Sequence, residues 1–204
     1  MFNAACGDFR SVLKIVLELP SSYSGRLTLV LNDHNEVIMG RTILILILLS
    51  LQDDTDDKAI DCAVHLWYSA FLTLDHVKFL RTRVMPVLEV LQLYLKHNGP
   101  DGQIPTFGPG RVQVKVAAKS LDWTIRAVNN TLDKVVASIT RNSLVWARPD
   151  IVERFYFNIR NKLHRRCSVQ RYRQTGVLAY SATSVEKFEI PNPSVSSPIL
   201  VTES

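Results

Sequence analysis

The sequence predicts an α/β protein rich in helix: one β-α-β unit followed by a helical body. Three observations predict it. Phe9, Val12, Leu13, Val16 and Leu17 recur at helical spacing near the start. Leu27 to Leu31 is a short, β-leaning apolar run that ends at Asn32-Asp33. After Asn35 most of the chain carries apolar residues three and four apart, which suits helices rather than strands.

The elements follow in order. The first helix ends at Pro20, and Ser21 to Gly25 reads as a loop. A buried strand is expected over Leu27 to Leu31. Asp33 or Asn35 then caps a helix from Glu36 to about Leu51. Ile43 to Leu49 is apolar on every side, so a strand is the second reading for that half. Gln52 to Asp57 is an acidic loop. Helices are expected over Ala59 to Leu72 and Leu74 to Asn98, the second bent or broken near Pro86. Asn98 to Gly110 is a loop, and Val112, Val114 and Val116 alternate as in a strand. Ser120 to about Val145 and Ile151 to about Arg166 read as helices. The stretch after Phe188 holds Pro191, Pro193 and Pro198 among serines and reads as an extended tail. The division is one domain over 1–188, with the β-α-β-α unit in 1–52 and the helical body in 58–175, and a Pro/Ser tail over 189–204.

Composition narrows the function classes. The chain of 204 residues is 47% hydrophobic and 21% charged, which is enough to build a packed core and argues against disorder. Its longest apolar run, Ile43 to Leu49, is far short of the roughly 20 residues of a spanning helix, so no membrane is expected. The three cysteines, Cys6, Cys62 and Cys167, are odd in number and scattered. They fit neither a disulfide framework nor a zinc site, and an intracellular, cytoplasmic setting is expected. The net charge of +5 is concentrated: Arg154 to Arg173 holds seven Lys or Arg and no acid. Aromatic residues lie among those arginines, as in some single-strand binders. Val152, Phe155, Tyr156, Ile159 and Leu163 also form a helical stripe, which makes the aromatics core and the arginines a wet face. Nucleic acid is therefore not the expected partner.

Four constellations invite chemistry. Gly7-Asp8 precedes the first helix, and Asp33 follows the second strand 26 residues after Gly7. A nucleotide-binding β-α-β unit places a tight Gly turn at a helix N-terminus and an acid about 20 residues on. One glycine is a thin fingerprint, and an ordinary turn with Asp33 as a helix cap fits the same residues. Asp53-Asp54-Thr55-Asp56-Asp57 lacks the turn Gly and distal Glu of a calcium loop and reads as a solvated helix start. His65-Leu66-Trp67-Tyr68-Ser69 suggests a His or Ser catalyst, but there is no G-x-S-x-G elbow and no supporting His or Asp spacing, so it reads as core. Asn129-Asn130-Thr131 is a formal glycosylation acceptor that is silent without a secretory signal.

Several fragments together resemble one family. They are Cys6-Gly7-Asp8-Phe9-Arg10 with Val12-Leu13, Leu31-Asn32-Asp33, and His65-Leu66-Trp67-Tyr68-Ser69-Ala70-Phe71. To these are added Tyr172-Arg173 through Gly176-Val177-Leu178 to Pro191-Asn192-Pro193. The set resembles the domain-of-unknown-function family DUF 4470, common in fungal proteins and often beside a MYND-type zinc finger. It is also similar to the N-terminal region of a dynein-arm assembly factor. The family looks related to Rossmann-like S-adenosylmethionine methyltransferases. The resemblance implies a partial Rossmann-like unit, with Gly7 and Asp8 in the cofactor loop, Asp33 on the ribose and Asn32 flanking it. It implies no catalytic base. The chain departs from the pattern at Ala5, where a glycine is usual, and at Leu178-Ala179-Tyr180-Ser181. It also lacks a MYND finger, and relatives tend to continue beyond Pro193. The first strand is at best Phe2 to Cys6, and a truncated copy or incomplete gene model is expected. The expected function is a non-catalytic, methyltransferase-like module that binds an as yet unidentified protein partner, with no cofactor. The alternative is an active methyltransferase that uses S-adenosylmethionine at an intact site.

Overall fold

A computed structural model describes residues 2–4, 10–28, 30–51, 57–99, 116–129, 171–172, 174–178 and 184–193. It is α/β and helix-rich. The chain opens with β1 (Phe2–Ala4), α1 (Arg10–Leu17) and β2 (Val30–Asn32). The two strands are parallel, with Phe2 opposite Val30 and Ala4 opposite Asn32. This is the expected β-α-β order. The second strand is shorter than the Leu27–Leu31 reading and shifted towards Asn32. β1 offers only three pairing positions, and Leu27, outside that register, is 37% exposed. Among the described residues no third strand joins this sheet.

Next comes α2 (Glu36–Ser50), which settles the ambiguous Ile43–Leu49 run as helix. Its entry is capped by Asn35, whose side chain accepts the Val37 N–H at 2.9 Å. Asp33, the other capping candidate, instead accepts the Asn35 N–H at 2.9 Å, one turn earlier. α2 is apolar all round because it is the central helix. It packs between α3 (Asp57–Tyr68) and α6 (Ala118–Asn129), and Leu44 and Ile47 are fully buried. Each such side chain contributes about 1.5–3 kcal/mol by leaving water. At Gly40 the Trp123 ring of α6 lies so close to the α2 backbone that a Cβ would overlap it. A Glu36–Lys119 ion pair joins the same two helices at the surface.

After α3 the structure departs from the sequence reading. The expected helix over Ala59–Leu72 ends at Tyr68, and Phe71–Thr73 forms β3. Its partner is β4 (Phe188–Pro191), reached through a 3₁₀ turn at Val185–Lys187 and paired antiparallel with β3. The extended tail expected after Phe188 therefore does not begin there: Phe188, Pro191, Asn192 and Pro193 are buried. Thr73 then caps α4 (Leu74–Phe79), with its hydroxyl accepting the His76 N–H and His76 Nδ1 accepting the Thr73 N–H.

The interruption expected near Pro86 is a single π turn, Leu80–Val84, between α4 and α5 (Met85–Asn98). Pro86 falls in the first turn of α5, directly after the π turn. The wider turn brings Leu80, Val84, Met85, Leu88 and Leu91 all onto the core. α6 begins at Ala118 and is described to Asn129. The rest of that expected helix, the strand at Val112–Val114, the helix over Ile151–Arg166 and most of the basic segment lie outside the described residues. No helix among the described residues is long and apolar enough to cross a membrane.

Candidate functional site

Asp61, His65 and Ser69 lie at i, i+4 and i+8, so one face of α3 and its last turn carries a carboxylate, an imidazole and a hydroxyl. The Ser69 N–H still donates to the His65 carbonyl at 2.9 Å, so the helical path continues to Ser69. His65 and Ser69 are each 1% exposed. The reading of this stretch as core holds for His65, Leu66 and Ser69, whereas Tyr68 is 38% exposed. The reading that no Asp or His supports it does not hold: Asp61 stands one turn before His65, and α4 brings His76 alongside.

The hydrogen bonds assign the protons of His76. Ser69 Oγ accepts the Leu178 N–H at 2.9 Å and lies 2.8 Å from His65 Nδ1. Asp61 Oδ1 lies 3.6 Å from His65 Nε2, and Asp61 Oδ2 lies 2.7 Å from His76 Nε2. A carboxylate only accepts, so His76 Nε2 carries the hydrogen of its bond to Asp61, and His76 Nδ1 accepts the Thr73 N–H. His65 Nε2, at 3.6 Å, is beyond hydrogen-bond distance of Asp61, and its Nδ1 shares a hydrogen bond with the Ser69 hydroxyl. The two imidazoles stack with centroids 5.2 Å apart, and the Phe188 ring lies 4.6 Å from His65.

Burial sets the electrostatics. Desolvation pushes His65 down to about 4, Asp61 opposing the shift and His76 adding to it. His65 is therefore a neutral imidazole at neutral pH. Burial, with the Asp61 charge adding to it, pushes the Cys62 thiol up to about 12, which makes it an inert core thiol.

A hydroxyl, imidazole and carboxylate in line have the composition of an acyl-transfer triad. Here the hydroxyl is buried and accepts the Leu178 N–H, so no substrate carbonyl reaches it. Two imidazoles and one carboxylate also suggest a metal centre. His76 Nε2 points a hydrogen, not a lone pair, at Asp61. Among the described residues no three such side chains are arranged to hold a metal ion.

The network is a junction between distant segments. The Asn192 side-chain amide donates to the carbonyls of His65, Leu66 and Ser69 at 3.1, 3.0 and 2.7 Å, satisfying the end of α3. The Asn192 N–H donates to the Ala70 carbonyl, and the Ala70 N–H donates to Gly176. Gly176 has φ +69°, and a Cβ there would stand 3.0 Å from that of Ala70. The Tyr172 hydroxyl donates to the Tyr68 carbonyl at 2.7 Å. Trp67 and Tyr68 stack with centroids 5.3 Å apart.

The four expected cofactor residues divide. Gly7 and Asp8 lie outside the described residues. Asn32 ends β2 opposite Ala4, so the chain leaves β1 and β2 at the same edge of the sheet. Asp33 follows it there. Its side chain is 5% exposed, and its Oδ1 accepts the Asn35 N–H and faces His34 Nδ1 at 3.5 Å.

His76, Gly176 and Asn192 join the site through the fold, and no local pattern announces that. Asp61 was legible as the i−4 neighbour of His65. No curated protein and no solved structure matches the chain. Residues 1–72, which take in the β-α-β unit, α2, α3 and the Asp61–His65–Ser69 face, match the model of the family described as "Domain of unknown function (DUF4470)".

Proposed function

We propose that this chain is a methyltransferase-like domain without catalysis of its own, acting as a protein-interaction or assembly module. The observation that carries this reading is the burial of His65 and Ser69: the serine and histidine of the Asp61–His65–Ser69 face lie in the core and help hold the fold together. Asp33 supports it, because one of its oxygens serves the turn into α2. Val90 and Leu93, one turn apart on α5, are 52% and 56% exposed and offer apolar contact. The likeness of the motif set to fungal proteins with MYND-type fingers, and to part of a dynein-arm assembly factor, belongs to the same reading. So does an intracellular, cytoplasmic protein partner.

An active S-adenosylmethionine-dependent methyltransferase is the second reading. The parallel β-α-β unit favours it, since ligands of such sheets gather at the carboxyl edge of the strands, where Asn32 and Asp33 stand. There the cofactor would supply the methyl group, and Asp33 would orient its ribose. Calorimetric titration with S-adenosylmethionine and S-adenosylhomocysteine separates the two readings. The module reading expects no heat from the folded protein. Micromolar binding that is lost in Asp33→Ala would replace it with the enzyme reading.

A further inference from the structure

We propose that the outer face of α5 is a self-association surface, on which α5 of a second copy of this chain packs antiparallel. Such pairing deepens the interaction-module reading on which it rests, by naming the occupant. α5 carries two apolar stripes on opposite sides. Leu88 and Leu91 are buried in the core. Pro86, Val90 and Leu93, four and three residues apart, face away from it. Val90 and Leu93 are 52% and 56% exposed. Glu89 and Lys96 run along one flank of that outer stripe, seven residues or two turns apart, and both are exposed. Among the described residues neither has an ion-pair partner.

The pattern of charge selects the occupant and its direction. In an antiparallel pairing with its twofold axis midway between Val90 and Leu93, Val90 meets Leu93 of the second copy, and Leu93 meets its Val90. The flank then brings Glu89 beside Lys96 of the second copy and Lys96 beside its Glu89, so both charge pairs close at once. A parallel pairing sets this flank against the opposite one, where Tyr94 lies, and closes neither pair. The match lies within one helix, so a second copy supplies it in both directions. The face is one helix long, which places the contact at the small, weak end of specific interfaces.

The test is sedimentation velocity of the full chain over a concentration series, with the folding of each variant checked by circular dichroism. Reversible dimerisation is expected, with a dissociation constant on the order of 10–100 µM. Leu93→Asp should weaken it about tenfold or more. Glu89→Lys and Lys96→Glu should each weaken it roughly threefold or more, because each sets like charges at both pairs. Mixed in equal amounts, those two variants should associate with each other as the wild type does, since every pair is then opposite in sign. A dimer that ignores Leu93→Asp would overturn the proposal, as would charge variants whose mixture associates no better than either alone. A monomer at concentrations well above that range would also overturn it and would assign the face to a different protein. The module reading would stand in that case, because titration with S-adenosylmethionine decides it.

Discussion

The side-chain amide of Asn192 donates to the carbonyl of His65 at 3.1 Å, joining residues 127 positions apart. The same nitrogen serves Leu66 and Ser69, so one side chain closes the end of α3. Replacing it with Ala removes the donor that these buried carbonyls share. Asn192→Ala should lose about 2–3 kcal/mol in urea unfolding. Asn192→Asp should lose more, because a carboxylate oxygen would face the same carbonyls. Equal stability of Asn192→Ala and wild type would mean that the junction contributes nothing.

Gly40 tests the central packing. Alanine favours a helix over glycine by about 1 kcal/mol. Here the added methyl meets the Trp123 ring. Gly40→Ala should therefore destabilise by about 1–3 kcal/mol, against its helix propensity. A rise in thermal midpoint would show that α2 and α6 are less tightly packed than described.

Much of this fold is legible in local pattern. The apolar spacing from Val12 to Leu17 falls within α1, and the Asn35-Glu36 entry to α2 follows from capping chemistry. The break near Pro86 is visible too, although only the structure shows that a π turn absorbs it. What local pattern misses is pairing across the chain. Phe71-Leu72-Thr73 continues a helical periodicity, and it becomes a strand because Phe188–Pro191 lies beside it. Pro191 and Pro193 read as punctuation, yet Asn192 between them is fully buried. The site divides in the same way. Asp61, His65 and Ser69 are one helical face and could be read directly, whereas Asn192 reaches them only in the folded chain.

Acid should weaken the protein through His65. Its titration is lowered from about 6.5 in the unfolded chain to about 4 in the fold. The unfolded state therefore takes up a proton first as pH falls. The stability contributed by the neutral ring is complete above about pH 6.5 and is lost progressively between 6.5 and 4. The difference amounts to at most about 3 kcal/mol. Urea midpoints measured from pH 7.5 to 4.5 should decline across that window. In His65→Gln the decline should be smaller, and an identical decline would assign it to other groups.

Cys62 is fully buried, with its thiol pushed up to about 12. In the native state it should not react with a thiol-directed disulfide reagent, and it should become reactive in denaturant. Rapid native labelling at Cys62, located by peptide mass, would contradict the packing of α3 against α2.

The central claim is that the Ser69–His65–Asp61 line is a structural junction rather than a reactive one. Incubation of the folded protein with a fluorophosphonate, followed by intact-mass and peptide analysis, tests it most directly. The account predicts no adduct at Ser69. A stoichiometric phosphonyl adduct there, lost in His65→Gln, would mean that the hydroxyl is open and activated, and would contradict it.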